Sequence, residues 1–195
     1  MKKKYTGFSI LLVSLLILSS CNRMKCIEGN GNQISQNRDV NQFTFIEASG
    51  SVDLVLTQSP QHSLRIVADE NIQDRIQASV DGDKLEIDLK GNLCNSGPIT
   101  AYISSPDFTG VNLSGACSVK NEGTLNVKDF KIDLSGSSKI DLNLNAANVL
   151  TKSSGSSEIH LKGQAGNHDV DMSGASTVDA FDFVVGNYKI ATSGA

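Results

Sequence analysis

The stretch Leu113-Ser114-Gly115-Ala116-Cys117-Ser118-Val119 decides how this chain folds, because it keeps returning. It recurs as Leu134-Ser135-Gly136-Ser137-Ser138-Lys139-Ile140, as Ser153-Ser154-Gly155-Ser156-Ser157-Glu158-Ile159 and as Met172-Ser173-Gly174-Ala175-Ser176-Thr177-Val178. Thr192-Ser193-Gly194-Ala195 opens one more copy, and Ala48-Ser49-Gly50-Ser51-Val52-Asp53-Leu54 is an earlier relative. Successive motif glycines from Gly115 to Gly194 stand 21, 19, 19 and 20 residues apart. A period of about twenty, made of short strands and small-residue turns, marks a stacked solenoid whose single rung cannot bury its own apolar face. Rungs stacked roughly 4.8 Å apart can bury it together.

The expected fold is therefore all-β, a parallel β-helix of roughly twenty-residue rungs. It is right-handed because parallel crossovers are. An antiparallel β-sandwich also spaces its strands regularly, but it does not call for near-identical turns in every repeat. Alternation inside the motif puts Leu113, Gly115, Cys117 and Val119 on one face, apolar at both ends and so inward. Cys117, Ser138, Ser157 and Ser176 then form an inward column of small residues, while Ser114, Ser135, Ser154 and Ser173 form an outward polar row. The shared glycine predicts a corner with positive φ.

Upstream, Val52–Leu56, Leu64–Val67, Lys84–Leu89 and Ile99–Ile103 alternate as strands, with Asp81-Gly82-Asp83 as a turn. Asn71 to Ala78 carries the one helical hint, at most two turns. Residues 22 to about 38 are polar, rich in Asn, Gly and Gln, and without period, which predicts a flexible tether. Domain boundaries follow at residues 1–20, 21–38 and 39–195. Since the chain breaks inside a repeat, the expectation is that the domain is truncated and the natural chain continues past Ala195.

The N-terminus places Lys2, Lys3 and Lys4 before a run from Phe8 to Leu18 in which nine of eleven residues are apolar. That run is too short to span a bilayer, which takes roughly twenty residues, and it reads as a signal peptide. It ends Leu18-Ser19-Ser20-Cys21, similar to the lipobox of bacterial lipoproteins. Cys21 is thus the expected lipidation site, with the lipid as the link to a membrane. The implied location is the outer membrane, on its periplasmic face or at the cell surface. Asn22-Arg23-Met24-Lys25 lacks the acidic residues that often follow the anchor of surface-exposed Bacteroidota-type lipoproteins, which favours the periplasmic face over the surface.

Removing residues 1–20 lowers Lys plus Arg from 17 to 14 against 21 carboxylates, so the remaining chain carries about −7. No basic stripe for nucleic acid is present. Cys26, Cys94 and Cys117 permit one disulfide in an oxidising envelope, and sequence does not choose the pair.

Several motifs together resemble the auto-transporter adhesin head GIN domain of Bacteroidota lipoproteins. They are Arg38-Asp39-Val40-Asn41-Gln42-Phe43, Gly50 to Leu54, Asp69-Glu70-Asn71-Ile72, Asp81 to Ile87 and the Ser-Gly turns. The resemblance covers about residues 39–195. It implies a right-handed β-helix and an adhesive role, and it supplies no catalytic residue.

From the residues themselves, no catalytic constellation and no cofactor or metal site is expected. Asp133, Asp141, Asp171, Asp179 and Asp182 alternate as outward carboxylates, whereas a glycan lyase or hydrolase needs a convergent set. His160 and His168 sit in neighbouring repeats, and His62 lies apart, so a metal pair lacks a third ligand. The serines lack the G-x-S-x-G elbow of a hydrolase. The expected function is a non-enzymatic, lipid-anchored binding or adhesion module of the cell envelope, facing a glycan or a protein. A glycan-active β-helix enzyme and a purely structural envelope protein are the competing readings.

Overall fold

The computed structural model of the protein describes residues 26–194. The chain is a β-solenoid of about four turns with an antiparallel cap at its N-terminal end. Strands run β1 Gln33–Arg38, β2 Phe45–Gly50, β3 Asp53–Gln58, β4 Ser63–Asp69, β5 Ile76–Asp81, β6 Lys84–Leu89 and β7 Thr100–Ser105. They continue as β8 Gly110–Gly115, β9 Ser118–Glu122, β10 Leu125–Gly136, β11 Lys139–Gly155, β12 Glu158–Gly174 and β13 Thr177–Ser193. One wall of the coil stacks β6, β2, β8 and β10, and the opposite wall stacks β7, β3 and β9; β11, β12 and β13 each bend round a corner to serve both. The rung ladders are parallel, as the repeat requires, which removes the sandwich alternative.

The serine–glycine motif makes one corner. Gly50, Gly115, Gly136, Gly155 and Gly174 stack in register with φ between 95° and 122°. A β-carbon on any of the last four would lie 2.3–2.5 Å from the carbonyl oxygen of the glycine above it. Both conformation and spacing therefore demand glycine. Inside that corner Cys117, Ser138 and Ser157 are buried and Ser176, on the last rungs, is partly buried, forming the expected column, while Ser114, Ser135, Ser154 and Ser173 face outward. The column is bonded: Ser157 Oγ accepts from the Ser138 amide at 3.3 Å and Ser176 Oγ from the Ser157 amide at 3.1 Å. Burial raises the Cys117 thiol above its ordinary pKa.

The departures from a period of nineteen have structural causes. Between Gly115 and Gly136 two extra residues loop out around Gly123, and the Asn121 side chain takes the place of the lost ladder. Its Oδ1 accepts from the Asn143 amide at 2.8 Å and its Nδ2 donates to the Asn143 carbonyl at 3.0 Å. Gln58 does the same for Asn126, at 2.8 and 3.0 Å. Between Gly174 and Gly194 the extra residue is a bulge opposite Leu161, which turns Phe181 out to solvent.

The core is a file of Ile, Leu, Val and Phe along the axis, including Ile46, Leu54, Val111, Leu113, Ile132, Ile140, Leu142 and Ile159. The cap closes it. β4 and β1 run antiparallel beyond β7, and β5 antiparallel beyond β6. Gln73, buried, donates to the carbonyls of Ile34 and Ile66 and so ties β1 to β4. The helical hint at Asn71–Ala78 is only a 3-10 turn, Glu70–Arg75, because Ile76 already begins β5.

The tether reading requires correction. Residues 26–38 belong to the folded body rather than to a flexible spacer. Cys26 is disulfide-bonded to Cys94, Ile27 pairs with Leu93, and β1 is laddered to β4 along its whole length. Polar alternation hid β1, whose inner residues pack only at the rim of the cap. The signal segment 1–20 and Cys21 lie outside the described residues. Among the described residues no helix is long and apolar enough to cross a membrane.

Candidate functional site

A trough runs along the corner opposite the glycine column, across β10 to β13. One wall is the register column Asp129, Asn148, Asn167, Asn187, and the other is Lys131, Leu150, Asp169, Lys189. The residues between these columns, Phe130, Val149 and His168, turn into the core, and Tyr188 takes the same place on β13 with its ring half-exposed. The trough is an open groove of about 610 Å³, headed by Thr109.

The first wall is a continuous amide ladder. Asn148 Nδ2 donates to Asp129 Oδ1 at 2.6 Å, Asn167 Nδ2 to Asn148 Oδ1 at 2.7 Å, and Asn187 Nδ2 to Asn167 Oδ1 at 2.9 Å. An amide has two N–H donors and two acceptor lone pairs. Asn148 and Asn167 each spend one of either kind on the ladder and keep one donor and one acceptor for a ligand. The second wall sets Lys131 against Asp133 at 3.0 Å and leaves Leu150 as an exposed apolar step between charged neighbours.

His168 lies directly behind the trough and is fully buried. Its Nε2 shares a hydrogen bond with Thr151 Oγ1 at 2.9 Å, and Phe183 and Tyr188 flank the ring. Burial lowers its pKa to about 4, against a smaller upward pull from Asp169, so the ring is neutral at pH 7.

His160 and His168 both belong to β12, so they share one rung rather than sitting in neighbouring repeats; His160 is on the opposite wall, facing solvent, and the two do not meet. Its Nε2 lies 2.7 Å from Glu158 Oε1 and its Nδ1 3.3 Å from Asp179 Oδ2, while Lys139 Nζ is 2.9 Å from Glu158 Oε2. Glu158 above all holds His160 above the ordinary imidazole range, and His160 with Lys139 holds Glu158 below the ordinary carboxylate range. With its two ring nitrogens turned to carboxylates on opposite sides, the imidazole works as a clasp between β12 and β13. His62 sits in the cap region, edge-on to Phe43. Among the described residues no group of three or more His, Cys, Asp or Glu side chains could hold a metal ion.

The outward aspartates do not converge. Asp133 and Asp171 stand on the trough-side wall, and Asp141, Asp179 and Asp182 on the wall carrying His160. Sequence reading missed the trough, although Asn148, Asn167 and Asn187 recur at 19 and 20 residues in phase with the glycines. Phase against the glycine period is the signal that would have found them.

Solved structures with this fold include an adhesin, named as putative, from Bacteroides fragilis. It is 22% identical, with 87% of this chain and 80% of that chain covered, at a TM-score of 0.82. Two from Parabacteroides distasonis are also similar. One is named a putative adhesin (20% identical, 87% and 82% covered, TM-score 0.68), the other a putative lipid binding protein (21% identical, 83% and 78% covered, TM-score 0.67). At these identities the likeness is one of fold. No curated protein matches the chain. Residues 42–195 match the family described as "Putative auto-transporter adhesin, head GIN domain", and the chain belongs to that family.

Proposed function

We propose that the protein is a lipid-anchored, non-catalytic binding module of the cell envelope, with an adhesive role. The observation that carries this reading is where the trough lies relative to the point of attachment. If Cys21 bears the lipid, only residues 22–25 separate it from disulfide-bonded Cys26. Five residue steps reach at most about 18 Å. The cap is then held close to the bilayer. From β6 to β13 the wall climbs six strand spacings, roughly 29 Å, so the trough on β10–β13 is displayed away from the membrane. An enzyme of the β-helix type would gather its carboxylates on one wall, whereas here they are divided between two. The adhesin names of its structural relatives agree with a display role.

Protease treatment of intact cells, with lysed cells as control, tests the reading. Digestion on intact cells is expected, together with transfer of the protein to the soluble fraction in Cys21→Ala. Protection until lysis would put the solenoid in the periplasm and remove the adhesive role.

A further inference from the structure

We infer that the trough of β10–β13 binds a neutral, linear glycan laid along the solenoid axis, one sugar per rung; this rests on the binding-module reading. Three features select that ligand. The first is the ladder itself. Each of Asn148 and Asn167 offers one free donor beside one free acceptor, which is the pair a hydroxyl answers, being donor and acceptor at once. An anionic group would need donors alone, and a cation acceptors alone. The second is charge. Asp129 and Asp169 offset Lys131 and Lys189 across the trough, and Lys131 is already engaged by Asp133, so the site has no net field to attract an acidic polymer. The third is spacing. The offered groups repeat every rung, roughly 4.8 Å, whereas same-side groups of an extended peptide repeat at about 6.7 Å and fall out of step within two rungs. Each pyranose of an extended β-1,4-linked glycan rises by close to one rung, and although successive rings are turned over, every ring carries hydroxyls on both edges and so meets the ladder at each rung. Leu150 and the exposed face of Tyr188 supply the apolar surface on which a sugar ring can rest.

The test is calorimetric titration of the full chain in detergent micelles with cellotetraose, chitotetraose and β-1,4-mannotetraose. Tetragalacturonate and an extended decapeptide serve as the acidic and peptide comparisons. Binding of at least one neutral tetrasaccharide is expected. It should weaken at least about tenfold, or 1.4 kcal/mol, in Leu150→Arg, which fills the trough from an exposed position, and in Asn167→Leu, which removes a hydroxyl-matching amide. Lys162→Ala, on the other wall, should bind as the parent does. Circular dichroism melting establishes that each variant is folded, and Leu150→Arg keeps the test open if Asn167→Leu is not. Absence of binding by all three neutral sugars, preference for the acidic sugar or the peptide, or undiminished binding in Leu150→Arg overturns the inference. Protease digestion on intact cells together with any of those results would overturn the glycan site alone and leave the module reading standing.

Discussion

Gly136 lies so directly beneath Gly115 that a β-carbon on it would stand 2.5 Å from the Gly115 carbonyl oxygen, and its φ is 96°. Both objections to a side chain apply at once, and the obstacle is backbone, which cannot swing aside. Gly136→Ala is therefore expected to cost at least about 2 kcal/mol, the conformational penalty alone being about 1–3 kcal/mol. Gly82→Ala is the comparison: its φ is also positive, at 61°, but nothing lies within 4 Å of the added carbon. Urea melts of both should show the larger loss at Gly136, and equal losses would mean that conformation, not stacking, sets the glycine column.

A second prediction concerns the side chain that imitates backbone. Asn121 satisfies the amide and the carbonyl of Asn143 where the ladder is interrupted. Asn121→Ala leaves both without that partner at a half-buried junction, with an expected loss of about 1–3 kcal/mol. Asn121→Asp keeps the acceptor but loses the donor at pH 7, and a protonated carboxyl can donate again. The Asp variant should thus regain stability relative to the Ala variant as pH falls through the carboxylate range. Parallel melts at pH 7 and pH 4 would show it.

The glycine rungs and the strongly alternating strands were legible in the sequence; β1, the disulfide partner and the trough were not. Gly115, Gly136, Gly155 and Gly174 announce their rungs because one steric demand is met at every turn. The inward Cys117–Ser138–Ser157 column follows from simple alternation. The cap is built once and has no period to betray it. β1 carries Ile34 as its lone aliphatic residue, and its place depends on pairing with β4 some thirty residues later. The choice of Cys94 over Cys117 as partner of Cys26 depends on which thiol lies inside the coil, since Cys117 is enclosed by the glycine corner. Asn148, Asn167 and Asn187 look like ordinary polar residues until register sets them one above another.

His168 gives the fold an acid dependence with a definite sign. Its folded-state pKa of about 4 lies below the ordinary value of 6.5, so between these pH values the unfolded chain binds a proton that the folded chain does not. Stability is then fully present above about pH 6.5 and declines as pH falls toward 4. The full effect is about 3 kcal/mol. His168→Leu removes the titrating ring while filling similar space beside Thr151 and Phe183. Carboxylates titrate in both proteins, so the comparison isolates the imidazole. Urea unfolding at pH 7 and pH 4.5 should show the variant losing less stability than the parent on acidification. Equal losses would place His168 in contact with water.

The Cys26–Cys94 bridge spans 68 residues and encloses β1 to β6, so most of the cap lies within one covalent loop. Chain entropy alone assigns such a loop about 4 kcal/mol, an upper figure because the unfolded chain is not random. The folded state does not depend on the bridge for its local geometry. Ile27 donates to the Asn92 carbonyl at 2.8 Å and the Cys94 amide to the Ile27 carbonyl at 3.0 Å, which hold the same two segments together. Cys94→Ser should therefore fold with its strands intact and melt at lower temperature. Dithiothreitol should lower the melting temperature of the parent to the level of the variant and leave the variant unchanged. Cys117, buried inside the coil, is not placed to re-form a bridge with Cys26. A reductant effect that persists in Cys94→Ser would show another thiol pairing with Cys26.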